Sequence, residues 1–199
     1  MRELLFPGRR VWVAPASERA APRTTQFTLA LVESPAPSGG AASLVSVNTL
    51  IPNRLVAQAL RACSLPQFHE YTDVRAEVPH GHSRFDFVLS AGEARCVVEV
   101  KSVNLVNGRC GLFPDAVSAR ATRHVQELAA LRQRGTRAAA LFVAQRDDVD
   151  EIRPAEEIDP EFSAAISQAC ADGVECYGYR CSVSLEGIRL AGEVPFFIA

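Results

Sequence analysis

The chain has 199 residues, 48% of them hydrophobic, and a net charge of −2. That is enough for one well-packed domain with a small appendage, and too little for two large ones. No run approaches the roughly 18 apolar residues of a membrane span, the stretch from Met1 to Pro7 lacks the apolar segment of a secretory signal, and the six cysteines show no C-x-x-C or paired-histidine spacing, so we expect a cytoplasmic protein with reduced thiols and no zinc site.

In chain order, Arg10 to Val13 and Gln26 to Val32 read as short strands, with Ser34 to Gly40 as a Pro- and Gly-bearing linker. Two strands cannot bury a core alone, so residues 1–43 form a partial β module that leans on residues 44–199. Pro52 suits a first helical turn, and Leu55, Val56, Ala59 and Leu60 make an apolar stripe, giving a helix to about Cys63 that carries no acidic residue. Strands follow at Val74 to Val78, Arg84 to Leu89 and Arg95 to Ser102, with a turn at His80 to Ser83. After a turn around Asn107-Gly108, Asp115 is a candidate N-cap for a helix to about Gly135. Val117, Ala121, Val125 and Leu128 are expected inward, with Arg120, His124 and Glu127 as a polar stripe. Ala138 to Ala144 reads as a strand covered on both faces. An acidic loop over 147–161 precedes a helix from Pro160 to Ala171 and strands near Val174 to Arg180 and Ser182 to Leu190. The order is helix, three strands, helix, strand: an α/β, αβββαβ core with a mixed sheet.

Charge is unevenly spread. Residues 95–137 carry eight bases against three acids, and residues 147–161 carry eight acids against one base, which implies a basic and an acidic face, or merely solvated helices.

The chemistry is expected around Arg95-Cys96-Val97-Val98-Glu99-Val100-Lys101. Alternation puts Glu99 and Lys101 on one strand face and Val98 and Val100 on the other. A two-residue turn at Gly92-Glu93 pairs residues whose numbers sum to 185, setting Asp86 opposite Glu99. Facing carboxylates repel, and a divalent cation with oxygen ligands offsets that repulsion. Asp, twelve residues, then Glu-X-Lys is the arrangement of metal-dependent phosphodiester cleavage sites of the restriction-endonuclease, PD-(D/E)XK, type. Lys101 is the single lysine among 21 basic residues. Unlike arginine, it can exchange a proton with water. The alternative is a solvated cross-strand ion pair.

With these residues placed, the chain resembles the sugar fermentation stimulation protein A (SfsA) family. The resemblance is carried by Val47-Asn48-Thr49 with Pro52 to Val56, Ser83 to Phe87, Val98 to Val103, Leu112 to Val117, and Glu157-Ile158-Asp159-Pro160. It implies a restriction-endonuclease-like domain, DNA as partner, and a nuclease-type site with Asp86, Glu99 and Lys101 catalytic and Mg2+ or Mn2+ held by Asp86 and Glu99. Arg84, Arg120, Arg123 and His124 are the expected nucleic-acid contacts. Family members carry a further barrel-forming segment, with a Pro-Asn-Thr-Gly-Ser motif, ahead of the point matching Leu4 to Gly8, so residues 1–43 are expected to be an oligonucleotide-binding-type remnant. Two functions follow: a metal-dependent DNA phosphodiesterase, or a non-catalytic DNA-binding regulator of sugar metabolism that keeps the fold.

Overall fold

The computed structural model describes residues 3–15, 25–35, 42–80 and 83–198. Strand β1 (Val11–Pro15) pairs antiparallel with β2 (Phe27–Ser34), and β2 with β3 (Ser43–Ser46), in a three-stranded sheet. Its core is small: Leu4, Val32, Val45 and Val47, with Leu29 partly buried against them. β3 completes this sheet and also fastens it to the rest. Ser46 donates from its main-chain N–H to the Gln145 carbonyl and from Oγ to Gln145 Oε1, each at 3.0 Å. Ser34, expected in the linker, ends β2 and is buried, accepting from Arg146 Nη2 at 3.2 Å. Residues 36–40 of the expected linker, and Gly81 and His82 of the expected turn, lie outside the described residues.

The second body begins with α1 (Ile51–Arg61), whose Pro52 occupies the first turn, and continues through β4 (Asp73–His80), β5 (Ser83–Ala91) and β6 (Ala94–Val103). A hairpin of β7 (Leu105–Asn107) and β8 (Cys110–Phe113) intervenes before α2 (Ala119–Gln133) and β9 (Arg137–Ala144). The chain ends with β10 (Glu151–Pro154), α3 (Pro160–Ala171), β11 (Glu175–Val183) and β12 (Ile188–Val194). Six strands form one mixed sheet in the order β12-β11-β9-β6-β5-β4, with β6, β9 and β11 parallel. The element order α-βββ-α-β is therefore present, with the hairpin inserted.

Periodicity explains the layering. α1 lays Leu55, Val56, Ala59 and Leu60 against Val98, Val100 and Leu141 on one face of the sheet. α2 and α3 lay Val125, Leu128, Phe162 and Ile166 against Val97, Ala138, Ala140 and Phe142 on the other. Central β9 is apolar on both faces because each face is covered.

Three expectations change. α2 starts at Ala119, capped by Ser118, whose Oγ accepts from the Ala121 N–H at 3.2 Å, so Asp115 is not the cap. Ser118 wins because its own N–H is bonded to the buried Asp159 Oδ2 at 2.8 Å, a tertiary contact that fixes the helix start. Val117 then lies ahead of the helix and is 73% exposed rather than inward. Second, the acidic stretch is no bare loop: it contains β10, parallel to β8, and its charges are matched by Arg146 at Asp148, Arg109 and Arg180 at Asp150, and Arg153 at Glu151, while Asp159 caps α3. Third, the last turn is at Ser184 to Gly187, pairing Val183 with Ile188. Among the described residues no helix is long and apolar enough to cross a membrane.

Candidate functional site

Gly92 takes the left-handed conformation (φ +59°) that a tight turn requires, and β5 and β6 pair from Ala91↔Ala94 to Phe87↔Val98, every pair summing to 185. Asp86 and Glu99 are next in that register, and there the ladder stops. The Val100 N–H donates to Asp86 Oδ2 at 2.7 Å, so a carboxylate occupies the place of a main-chain acceptor. On the other edge of β5, the pairs Ala76↔Phe87 and Val78↔Phe85 flank Glu77, which holds φ +57° opposite Asp86. A non-glycine residue there costs about 1–3 kcal/mol and persists where its surroundings over-determine it. The faces exchange as well: Phe87 and Leu89 pack on the α1 side, whereas Phe85 packs on the α2 side. Asp86 sits at this slip, in an opening of the sheet.

Two helices reach the opening from opposite sides. From α1, Asn53 Nδ2 donates to Asp86 Oδ1 at 2.6 Å. From α2, His124 Nδ1 bonds Glu99 Oε1, which also accepts from Lys101 Nζ at 2.8 Å. Glu99, Lys101 and His124 are 4%, 7% and 3% exposed, so the solvated ion pair of the alternative reading does not describe them. Glu99 Oε2 is buried and has no hydrogen-bond partner. Asp86 and Glu99 are thus adjacent in register but not a simple same-face pair, because the slip turns Asp86 toward α1 while Glu99 faces α2.

The electrostatics separate the two acids. Burial first, and the charge of Glu99 second, push the Asp86 carboxyl above its usual range; the Val100 N–H, Asn53 and Lys101 do not fully offset this. Burial also pushes Glu99 upward, but the His124 bond and the Lys101 cation outweigh it and hold that carboxyl below the usual range. One acid is comfortable as an anion and its neighbour is not.

The expected contacts divide. His124 is not solvent-facing: with Ala121, Val125 and Leu128 it lies on the buried side of α2, as three- and four-residue spacing dictates. Arg84 is exposed and paired with Glu77 at 2.7 Å. Arg120 and Arg123 are exposed, Arg123 at 4.0 Å from Glu127. Asn53 was not singled out from sequence, although an asparagine inside a first helical turn, a poor helix former, is a usable signal. Behind the site, Gln145 Nε2 donates to Ser102 Oγ at 2.9 Å, linking β6 to Ser46 of the small sheet. Among the described residues no three His, Cys, Asp or Glu side chains gather closely enough to form a metal cluster, so any cation here would rest on two carboxylates and neutral oxygens.

A mixed α/β sheet pried open around the buried Glu99, the half-buried Asp86 and a lone lysine defines an α/β protein with a charged site held between two helices. The model of the family described as "Sugar fermentation stimulation protein RE domain" matches residues 50–187. A sugar fermentation stimulation protein homolog of Moorella thermoacetica is 45% identical over 98% of this chain and 81% of its own length, and that of Geobacter metallireducens is 36% identical over 100% and 83%. Among solved structures, Pyrococcus furiosus SfsA in complex with Ca2+ superposes with a TM-score of 0.87 at 25% identity, over 100% of this chain and 82% of that one. The chain belongs to the sugar fermentation stimulation protein family.

Proposed function

We propose that the chain is a divalent-metal-dependent phosphodiesterase acting on DNA, its αβββαβ order being a restriction-endonuclease-like core. The observation that carries this reading is the buried, partnerless Glu99 Oε2 beside an Asp86 whose carboxyl is pushed up by burial and by Glu99. Leaving a buried acceptor unsatisfied costs about 1–3 kcal/mol, more when charged, and such a group calls for an explanation. A cation held by Asp86 and Glu99 relieves both. The residues fit a hard ion with oxygen ligands. The Ca2+ of the Pyrococcus furiosus relative supports that class of ion; Mg2+ or Mn2+ is the working ion proposed here. When bound, such an ion stabilises charge developing on a phosphoryl oxygen.

The chain's own residues supply the rest. Lys101, held by Glu99, positions the attacking water and takes part in moving its proton. His124 fixes Glu99 from α2 and Asn53 fixes Asp86 from α1, so both carboxylates are set before substrate arrives. Arg120 and Arg123, exposed on α2, meet the phosphate backbone, with Arg84 further out. A cytoplasmic location accords with this reading.

One observation favours a second reading. α1 offers Asn53 where a third carboxylate would tighten the metal site, which suits a DNA-binding regulator that does not cut. The test compares wild type, Lys101→Arg and Lys101→Ala on supercoiled and single-stranded DNA with Mg2+, Mn2+ or chelator. Lys101→Arg keeps the charge but not the exchangeable proton, so cleavage should fall by at least ~10²-fold while DNA binding persists. Equal cleavage by wild type and Lys101→Arg removes the catalytic role of the lysine. Wild type that binds DNA yet cuts with neither ion supports the regulator.

A further inference from the structure

We infer that the nucleic-acid strand leaves the site along the outer face of α1, its phosphates held by Arg54, Arg61 and Arg189. The inference rests on the DNA reading above and extends it to a surface on the opposite side of the sheet from Arg120 and Arg123. Asn53, which holds Asp86, is followed at once by Arg54, and Arg54, Gln58 and Arg61 recur at the spacing of one exposed helical row. That row separates two grooves. One, of about 530 Å3, is lined by Arg54, Arg61 and their α1 neighbours. The other, of about 290 Å3, runs between α1, Ser64 and Arg189 of β12. The grooves share Gln58 and Ala62, and neither is lined by an acidic residue.

Two features suit these arginines to phosphate. Among the described residues no carboxylate pairs with Arg54, Arg61 or Arg189, whereas Arg75, Arg84 and Arg153 each have one within 3.1 Å. Arg54 also stands near the positive end of a helix that has no acid in its first turn, where a cation is disfavoured and a bound phosphate is welcome. The seven steps from Arg54 to Arg61 rise about 10 Å along the helix. That is about three steps of one strand of duplex DNA at ~3.4 Å each along its axis, so the row is long enough to follow a backbone away from the site.

The probe is a fluorescein-labelled single-stranded oligonucleotide, followed by anisotropy from low to moderate salt, with chelator present so that cleavage plays no part. Each phosphate neutralised contributes ~0.7 to the slope of log K against log salt for a single strand. The triple variant Arg54→Gln/Arg61→Gln/Arg189→Gln should therefore show a slope shallower by about 2, with binding at low salt weakened at least ~10-fold. Arg153→Gln, whose arginine is exposed but paired with Glu151, should match wild type. The melting temperature of the triple variant should be unchanged; if it drops, the three single variants, each expected to lower the slope by ~0.7, carry the test. Wild type that binds while the triple variant keeps its slope overturns the groove and leaves the DNA reading standing. Wild type without salt-dependent binding overturns both.

Discussion

Two buried charge clusters lie on the central strands, and they are built to different rules. At the end of β9, Arg146 is 1% exposed and grips Asp148 through both carboxylate oxygens, with its remaining donors on the Asn104 carbonyl at 3.1 Å and Ser34 Oγ at 3.2 Å. The pair is closed: neither partner has a buried polar atom left over, although the Asn104 side-chain oxygen nearby does. Burial raises the Asp148 carboxyl, Arg146 lowers it more, and the net is downward. At the site, Lys101 and His124 both bond one oxygen of Glu99, its other oxygen is unpartnered, and Asp86 beside it is raised. Similar ingredients yield a rivet in one place and, in the other, a buried Glu99 with one oxygen unpartnered beside a half-buried Asp86. The difference teaches where to look for chemistry: a buried charge is informative when its partners do not add up.

The sharpest way to break this contrast is to damage the rivet. Asp148→Asn strands Arg146 without a counter-charge, and removing one member of a buried pair costs about 3 kcal/mol or more, roughly 10 °C in melting temperature for a chain of this size. A loss of only a degree or two would mean that Arg146 is satisfied without Asp148, and the two clusters would no longer differ in kind. Next in size is the response to an ion. Ca2+ at a hundred times its dissociation constant should stabilise wild type and Asp148→Asn alike by about 2.7 kcal/mol, read as several degrees by thermal melting, and leave Asp86→Asn unmoved. Equal shifts in all three would place the ion elsewhere.

The smallest effect carries an unusual sign. A carboxyl whose folded value is raised favours the protonated form, so its ionisation works against folding once the pH climbs above the ordinary value of 3.8. The melting temperature of Asp86→Asn relative to wild type should therefore rise from pH 3, where Asp86 is itself protonated, to pH 7, on top of a pH-independent cost of the acceptor that the amide cannot replace. Glu99 runs the other way: its contribution is present above the ordinary value of 4.5 and is lost as the pH falls through its lowered folded value. Melting curves of Asp86→Asn and Glu99→Gln across pH 3–8 separate the two, and a difference between Asp86→Asn and wild type that does not rise with pH would refute the raised carboxyl.

Much of this was legible in sequence because it is local. The Gly92-Glu93 turn fixed the β5–β6 register, Pro160 and the cap Asp159 fixed α3, and the all-apolar run of β9 announced a strand covered on both faces. What escaped depends on partners far along the chain. β10, Glu-Ile-Arg-Pro, alternates over only four residues inside an acidic stretch, too short to read as a strand, and becomes one by lying parallel to β8. α2 starts late because Asp159 holds Ser118. His124 was read by polarity although its spacing placed it among Ala121, Val125 and Leu128. The carboxylates, the lysine and their register were all legible; the slip at Asp86 was not, because it needs β4, β6 and both helices at once.

The tethers on the small sheet bear on the order of events during synthesis. Ser34 bonds a residue 112 positions later and Ser46 one 99 positions later. At about 5–20 residues per second, strands β1 to β3 leave the ribosome some 5–20 s before their anchors, Gln145 and Arg146 just past β9, exist. For that interval Val32 and Val45, fully buried in the finished protein, have only a few apolar neighbours to shelter them. These strands are thus made well before they are locked in place, and a nascent chain halted before Gln145 should present them to chaperones and proteases in a way the longer chain does not.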